Sequence, residues 1–314
     1  MQEYNVHHRG RFRQIPIYLG KFFRMFIFQN DWKVLPMSAV IALLVAYVAG
    51  SYLFVNMEGT VMGSMALTCV CLWNGCFNSI QSVCREREIV KREHRAGMHI
   101  FAYISAHMIY QAFLCLAQTL ITVLVCRAAG LFFPEAGLIT PAFTLDIIIT
   151  LFLTTFAADM MSLMISCIVR TTTDAMTVMP LVLIFQLVFS GILFSLSGTA
   201  EKFSYFTVAK WGMRSLCSLG DYNSLPMVSV WNQLCKFQNV EVMGAKPIYE
   251  LVRAMADKGM HTEFMQKTGA YQSVAEYAHT AGNLGFCWMH LLAFALLFAV
   301  LAMTALKFVD RDRR

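Results

Sequence analysis

The chain has 314 residues, 58% of them hydrophobic and only 14% charged, with a formal net charge of +6 and a mean hydropathy of +0.57. A soluble domain of this length has too little interior to hide that much apolar surface, so a bilayer is its natural solvent. The positive balance does not point to nucleic acid, because no basic patch interleaved with aromatics accompanies it; topology and anionic-lipid contact account for the charge.

In chain order, the first element is an amphipathic helix over 12–27. Helical spacing puts Phe12, Ile15, Leu19, Phe22, Phe23 and Phe26 on one face and Arg13, Lys21 and Arg24 opposite. Such a helix lies in the membrane interface, the alternative being the edge of a soluble domain with its apolar face inward. No apolar core ending at a small-residue cleavage site precedes it, so no cleavable signal peptide is expected. Apolar runs of about 20 residues, long enough to cross about 30 Å of hydrocarbon as helices, then follow. They fall at 36–55, 60–83, 100–126, 143–169, 176–196 and 284–308. Helices are required because lipid offers the backbone no partners and the period-2 alternation of a barrel is absent.

The predicted fold is therefore an all-α integral membrane protein with six transmembrane helices and an N-terminal interfacial helix. A cytoplasmic segment, 1–34, leads into a transmembrane domain, 35–314. Arg9, Arg11, Arg13, Lys21, Arg24 and Lys33 before the first run, Arg85, Arg87, Lys91, Arg92 and Arg95 after the second, and Lys307, Arg311, Arg313 and Arg314 at the end all fall on one side. The opposite short connections, 56–59 and 130–141, hold no Lys or Arg, with Arg127 near the outer end of the third run as a mild exception. Both termini are expected in the cytoplasm of a plasma or inner membrane protein.

Two connections are more than turns. Residues 85–99 form a dense charge cluster that cannot enter hydrocarbon and is held at one face of the bilayer. The plain alternative is a solvated face, with Glu88 and Arg92 as an i,i+4 pair. Residues 197–283 form a long outer segment; Tyr205 and Trp211 suggest that 203–219 returns to the interface, and the rest suggests short amphipathic helices.

Of ten cysteines, Cys69, Cys71, Cys76, Cys115, Cys126, Cys167 and Cys287 lie in predicted spans, where a free thiol acts as a small hydrophobe. Cys217 and Cys235 share the outer segment, and an oxidising environment would leave a bridge between them open. Neither metal-ligand spacing nor a G-x-x-x-x-G-K-[ST] phosphate loop is present, so no metal is expected and ATP is not bound by a Walker loop in this chain. Polar residues inside the spans stand out: Asn74, Asn78, Ser79 and Gln81 in the second, His107, Gln111 and Gln118 in the third, Asp159 in the fourth and His290 in the last. They serve either as interhelical glue or as a functional lining, with a proton relay one reading of Asp159.

Three segments carry a family resemblance: Trp-Asn-Gly-Cys-Phe-Asn-Ser at 73–79, Glu-Arg-Glu-Ile-Val-Lys-Arg-Glu-His-Arg-Ala-Gly at 86–97, and Val-Phe-Ser-Gly-Ile-Leu-Phe-Ser-Leu at 188–196. With the order of elements, they resemble the membrane domain of type-2 ABC exporters, most closely the G subfamily of lipid, sterol and drug exporters. The resemblance implies a permease subunit that pairs with itself or a related permease and with ABC ATPase domains that bind ATP and Mg. It implies coupling to the ATPase through Glu86, Glu93 and Arg92, a substrate cavity lined by Asn74, Phe77, Asn78, Ile184 and Leu187, and an apolar exit plug at Ile192 and Leu193. A reading from another class is a non-transporting anchor that recruits a cytoplasmic partner through the same charged connection.

Overall fold

A computed structural model describes residues 10–29, 31–191, 196, 198–241 and 246–307. The helices, in order, are α1 (Arg11–Phe28), α2 (Val34–Ala49), α3 (Met57–Ser79), α4 (Ser82–Arg85), α5 (Arg87–Arg95), α6 (Ile100–Ala128), α7 (Phe143–Ile168), α8 (Thr172–Val188), α9 (Thr199–Ser204), α10 (Val208–Leu219), α11 (Val228–Phe237), α12 (Pro247–Asp257), α13 (His261–Ala270) and α14 (Ala281–Lys307). Among the described residues there is no β-strand, and five helical stretches are long and apolar enough to cross a membrane, centred on α2, α3, α6, α7 and α14. The protein is an all-α, multi-pass membrane protein.

The predicted fifth span, 176–196, differs. Its helix, α8, starts earlier at Thr172, capped by the Thr171 hydroxyl accepting from Asp174 N, and has 17 residues to Val188. At 1.5 Å per residue that is about 26 Å, just short of the hydrocarbon thickness. The first span is also shorter than predicted, because Gly50 at φ +59° ends α2 where the apolar run continues. Phe54, with φ +60°, then turns inward, its N–H donating to Thr60 Oγ1 at 3.0 Å and its ring edge-on to Phe143 at 5.2 Å.

α7 is the hub, packing on α3, α6, α10 and α14. Its inner face carries Thr150, Thr154, Asp159, Ser162 and Ser166, all buried. Most of these hydroxyls are satisfied inside the helix, as in Thr150 Oγ1 to Asp146 O and Thr154 Oγ1 to Thr150 O, both 2.8 Å. Small residues let the backbones approach, since lipid gives helices no hydrophobic reason to associate. Gly75 is the clearest case: a methyl there would strike the Thr155 carbonyl oxygen and stand 2.7 Å from Asp159 N. The segment 203–219, expected at the membrane interface, instead packs into the bundle through α10, ten of whose twelve residues are buried.

Candidate functional site

The charged connection is built as two short helices, α4 and α5, hinged at Glu86. Its geometry is set by three neighbouring elements. The Ser166 hydroxyl near the end of α7 accepts from Val83 N and Cys84 N at 3.1 and 3.2 Å, fixing the start of α4. Arg87 donates back to the last carbonyls of α7, to Cys167 O at 3.2 Å and Val169 O at 2.7 Å. Those carbonyls have no partner within their own helix, and a cation at a helix C-terminus complements its dipole. Gly97 at φ +104° closes α5.

α1 grips the same connection from the other side. Lys21 Nζ bridges Glu86 Oε2 at 3.2 Å and Glu93 Oε1 at 3.3 Å. The Gln14 amide donates to Gly97 O at 3.2 Å and accepts from His99 N at 2.9 Å. Burial, with the Glu93 carboxylate alongside, pushes the Tyr18 phenol up to about 12. Phe22 plugs into α6 between Tyr103 and His107, at ring distances of 5.7 and 3.9 Å.

Glu86 is therefore buried and Glu93 half-buried, both turned toward α1, whereas Arg92 is exposed. Glu88, Ile89, Arg92 and Arg95 make up the exposed row of α5. Ile89, an exposed apolar residue among charges, was not singled out by the sequence; the 88, 92 and 95 helical spacing, with 89 beside it, was the signal available.

The predicted cavity residues separate. Asn74 and Phe77 line an apolar groove of about 400 Å³ between α2 and α3, with Met37, Ile41 and Trp73. Asn78 exchanges two amide hydrogen bonds with Gln118 at 2.8 and 3.0 Å and, together with Phe77, lines an inner cavity of about 170 Å³ that runs to Arg85, Glu86 and Asp31. Ile184 and Leu187 line neither: Ile184 is exposed on α8 and Leu187 packs on the core. Ile192 and Leu193 lie outside the described residues. The bridge left open between Cys217 and Cys235 is not formed; both are free thiols, and Cys217 is wholly buried beside Met57, Met213 and Tyr222.

In the long segment between α8 and α14, Lys210 contacts Glu276 at 3.3 Å and caps the Tyr205 ring, while Tyr205 Oη donates to Glu276 at 2.7 Å. Burial raises the Glu276 carboxyl, but the Tyr205 hydroxyl and the Lys210 ammonium outweigh it and hold the group below its ordinary value. Arg214 donates twice to Asn283 Oδ1, at 2.6 and 3.2 Å, and Trp211 stacks flat on His290 at 3.9 Å. This network ties α10 to α14 across some 70 residues of sequence, which no local pattern reveals.

Two comparisons bear on this arrangement. Residues 21–219 match the family model described as ABC-2 type transporter. The chain is also similar to the ABC transporter ATP-binding/permease protein Rv1747 of Mycobacterium tuberculosis, at 26% identity over 147 residues. That match covers 46% of this chain and 17% of the relative's length. The matched family region runs from Lys21, which clamps the charged connection, to the end of α10, and the chain belongs to the ABC-2 type transporter family as a membrane-embedded permease component.

Proposed function

We propose that this chain is the permease half of an ATP-driven exporter, working as a pair of copies and driven by ATPase domains that bind ATP and Mg outside this chain. The observation that carries the proposal is the double anchorage of α5, to α1 through Lys21 and Gln14 and to α7 through Arg87, while Glu88, Ile89 and Arg92 stay outward. A push on that outward row reaches an interfacial helix and the hub span together. In this reading Glu86 and Glu93 transmit force within the chain, and Arg92 with Ile89 receives it. The groove at Asn74 and Phe77 suits an apolar or amphipathic cargo, and the exposed apolar residues of α2 and α8, such as Leu44, Tyr47, Leu181 and Ile184, suit lipid or the second copy. The basic short segments favour both termini in the cytoplasm. Differential affinity of the ATPase domains for two states of the permease would supply the drive.

The experiment is reconstitution of the permease with its copurifying ATPase in liposomes. The double variant Ile89→Asp, Arg92→Glu should lose most of the ATPase stimulation that wild-type permease confers, with the bundle intact by circular dichroism. Undiminished stimulation would refute coupling through α5. ATPase binding without any transported lipid, peptide or drug would favour the anchor reading.

A further inference from the structure

Along one face of α6, Tyr103, His107, Gln111 and Cys115 recur every four residues, and all four are buried. Tyr103 Oη, both ring nitrogens of His107 and Gln111 Oε1 have no hydrogen-bond partner among the described residues. Opposite them on α7, neither carboxylate oxygen of Asp159 has a hydrogen bond of ordinary geometry, the Ser79 hydroxyl and the Cys115 thiol being the donors beside it, and the residue has no accessible surface. Buried polar atoms without partners are rare, and several in one region of a membrane bundle mark a place where something else binds.

The neighbours of Asp159 limit what that can be. From α3 it is faced by the Ser79 hydroxyl and the Cys76 thiol, and from α6 by the Cys115 thiol, with Tyr110 further along that helix. The cations of α10, Lys210 and Arg214, and His290 of α14 are engaged in the network that ties α10 to α14. Arg85 of α4 pairs with Asp31 at 3.7 Å, and Asp174 of α8 sits exposed in that helix's first turn. An ionised carboxylate among such neighbours would be a lone buried charge, which proteins do not sustain.

A cavity leads toward it as far as Gln111. The 170 Å³ inner cavity opens beside Arg85 and Glu86, reaches His107 and Gln111, and has room for several waters. Gln111 Nε2 donates to Ser79 Oγ at 2.7 Å, leaving the Ser79 proton free to point at Asp159. The Gln111 amide is thus the partition between the cavity and the acid.

We propose that Asp159 is a proton-binding site within each protomer, loaded by water from the inner cavity past Gln111 and Ser79. The transfer is a simple one: hydronium in the cavity gives its proton to the carboxylate, leaving water and a neutral carboxylic acid. Gly75 packs on the backbone nitrogen of Asp159, so a change in the α3 to α7 contact alters the surroundings of the acid. The site thereby links the protonation of the bundle interior to its conformational state, whatever cargo the groove carries.

The test is infrared difference spectroscopy of the intact chain in lipid nanodiscs, which needs neither cargo nor ATPase. The expected result is a carboxylic-acid C=O band that is lost in Asp159→Asn and shifts on transfer to D2O. Gln111→Ala should speed that isotope exchange at least tenfold. Should Asp159→Asn not fold, Asp159→Glu assigns the band by its shift in frequency. A band absent at every pH, which would mean an ionised acid or a bound metal cation, overturns the proposal, as does an exchange rate unchanged in Gln111→Ala. Either failure leaves the transport reading untouched, because it concerns α5 and the partner ATPase.

Discussion

Replacing Lys21 with Met keeps the length of the side chain and removes the ammonium that Glu86 and Glu93 share. At 3.2 and 3.3 Å, each charge pair is worth about 5 kcal/mol of direct attraction at an effective dielectric of about 20, before desolvation is subtracted. The net value depends on exposure. The Glu86 side chain is 10% exposed and Glu93 31%, with Lys21 at 29%. Exposed pairs contribute about 0.2–1 kcal/mol, and breaking a buried one costs about 3–5 kcal/mol. The Glu86 contact lies toward the buried limit and the Glu93 contact toward the exposed one, so the variant should lose about 2–3 kcal/mol of the energy holding α1 to the connection. Hydrogen exchange of α1 amides reads that loss directly, as an increase of about 30- to 150-fold if exchange proceeds by local opening. Adding Glu86→Gln should recover part of it, since the buried charge left behind is then removed. Strict additivity of the two substitutions, or unchanged α1 exchange in Lys21→Met, would show that the bridge does not bind the helix to the connection.

Two further perturbations probe the bundle away from this clamp. Gly75→Ala places a methyl against the Thr155 carbonyl and Asp159 N, and since backbone cannot swing aside it should destabilise the chain by about 1–3 kcal/mol, measured by thermal unfolding in detergent; wild-type stability would mean that α3 and α7 are not in this contact. Glu276 has a carboxyl held below its ordinary value of 4.5, so its contribution is fully present above about pH 4.5 and is lost as pH falls through the lower folded value. Stability from pH 7 to pH 3 should therefore fall more steeply in wild type than in Glu276→Gln, and superimposable profiles would remove Glu276 from the clamp with Lys210 and Tyr205.

The spans were legible because hydrophobic length is a one-dimensional property, and 143–169 predicted α7 to within a residue. Where hydropathy and backbone geometry part, the prediction drifted. The apolar run after Ala49 continues past a helix that Gly50 has already ended, and the run at 176–196 hides a shorter helix. The charged connection was legible as a place, since so many charges can only lie outside the bilayer. The direction of its side chains was not, because the α4 to α5 break at Glu86 resets the helical phase, and Lys21 lies 65 residues away from the acid it neutralises. The same limit split the cavity set. Asn74, Phe77 and Asn78 sit within five residues of one helix, yet Asn78 pairs with Gln118 and lines the inner cavity, Asn74 lines the groove and Phe77 lines both, while Ile184 and Leu187 belong to a helix whose placement no local pattern contains.

The anchorage of α5 also orders events during synthesis. The acids of the connection find Lys21 among residues already made, so the α1 clamp can close as soon as the connection leaves the ribosome. The contacts of Arg87 with the end of α7 have to wait until Cys167 and Val169 have been translated, 80 and 82 residues later. At about 5–20 residues per second, its guanidinium waits for several seconds with its final acceptors unmade. During that interval its charge helps to hold the connection on its side of the membrane while the next two spans insert. Once α7 is in place, the same side chain becomes the clasp that closes the end of that helix. A residue that first steers topology and later seals the fold thus serves biogenesis and architecture with a single charge.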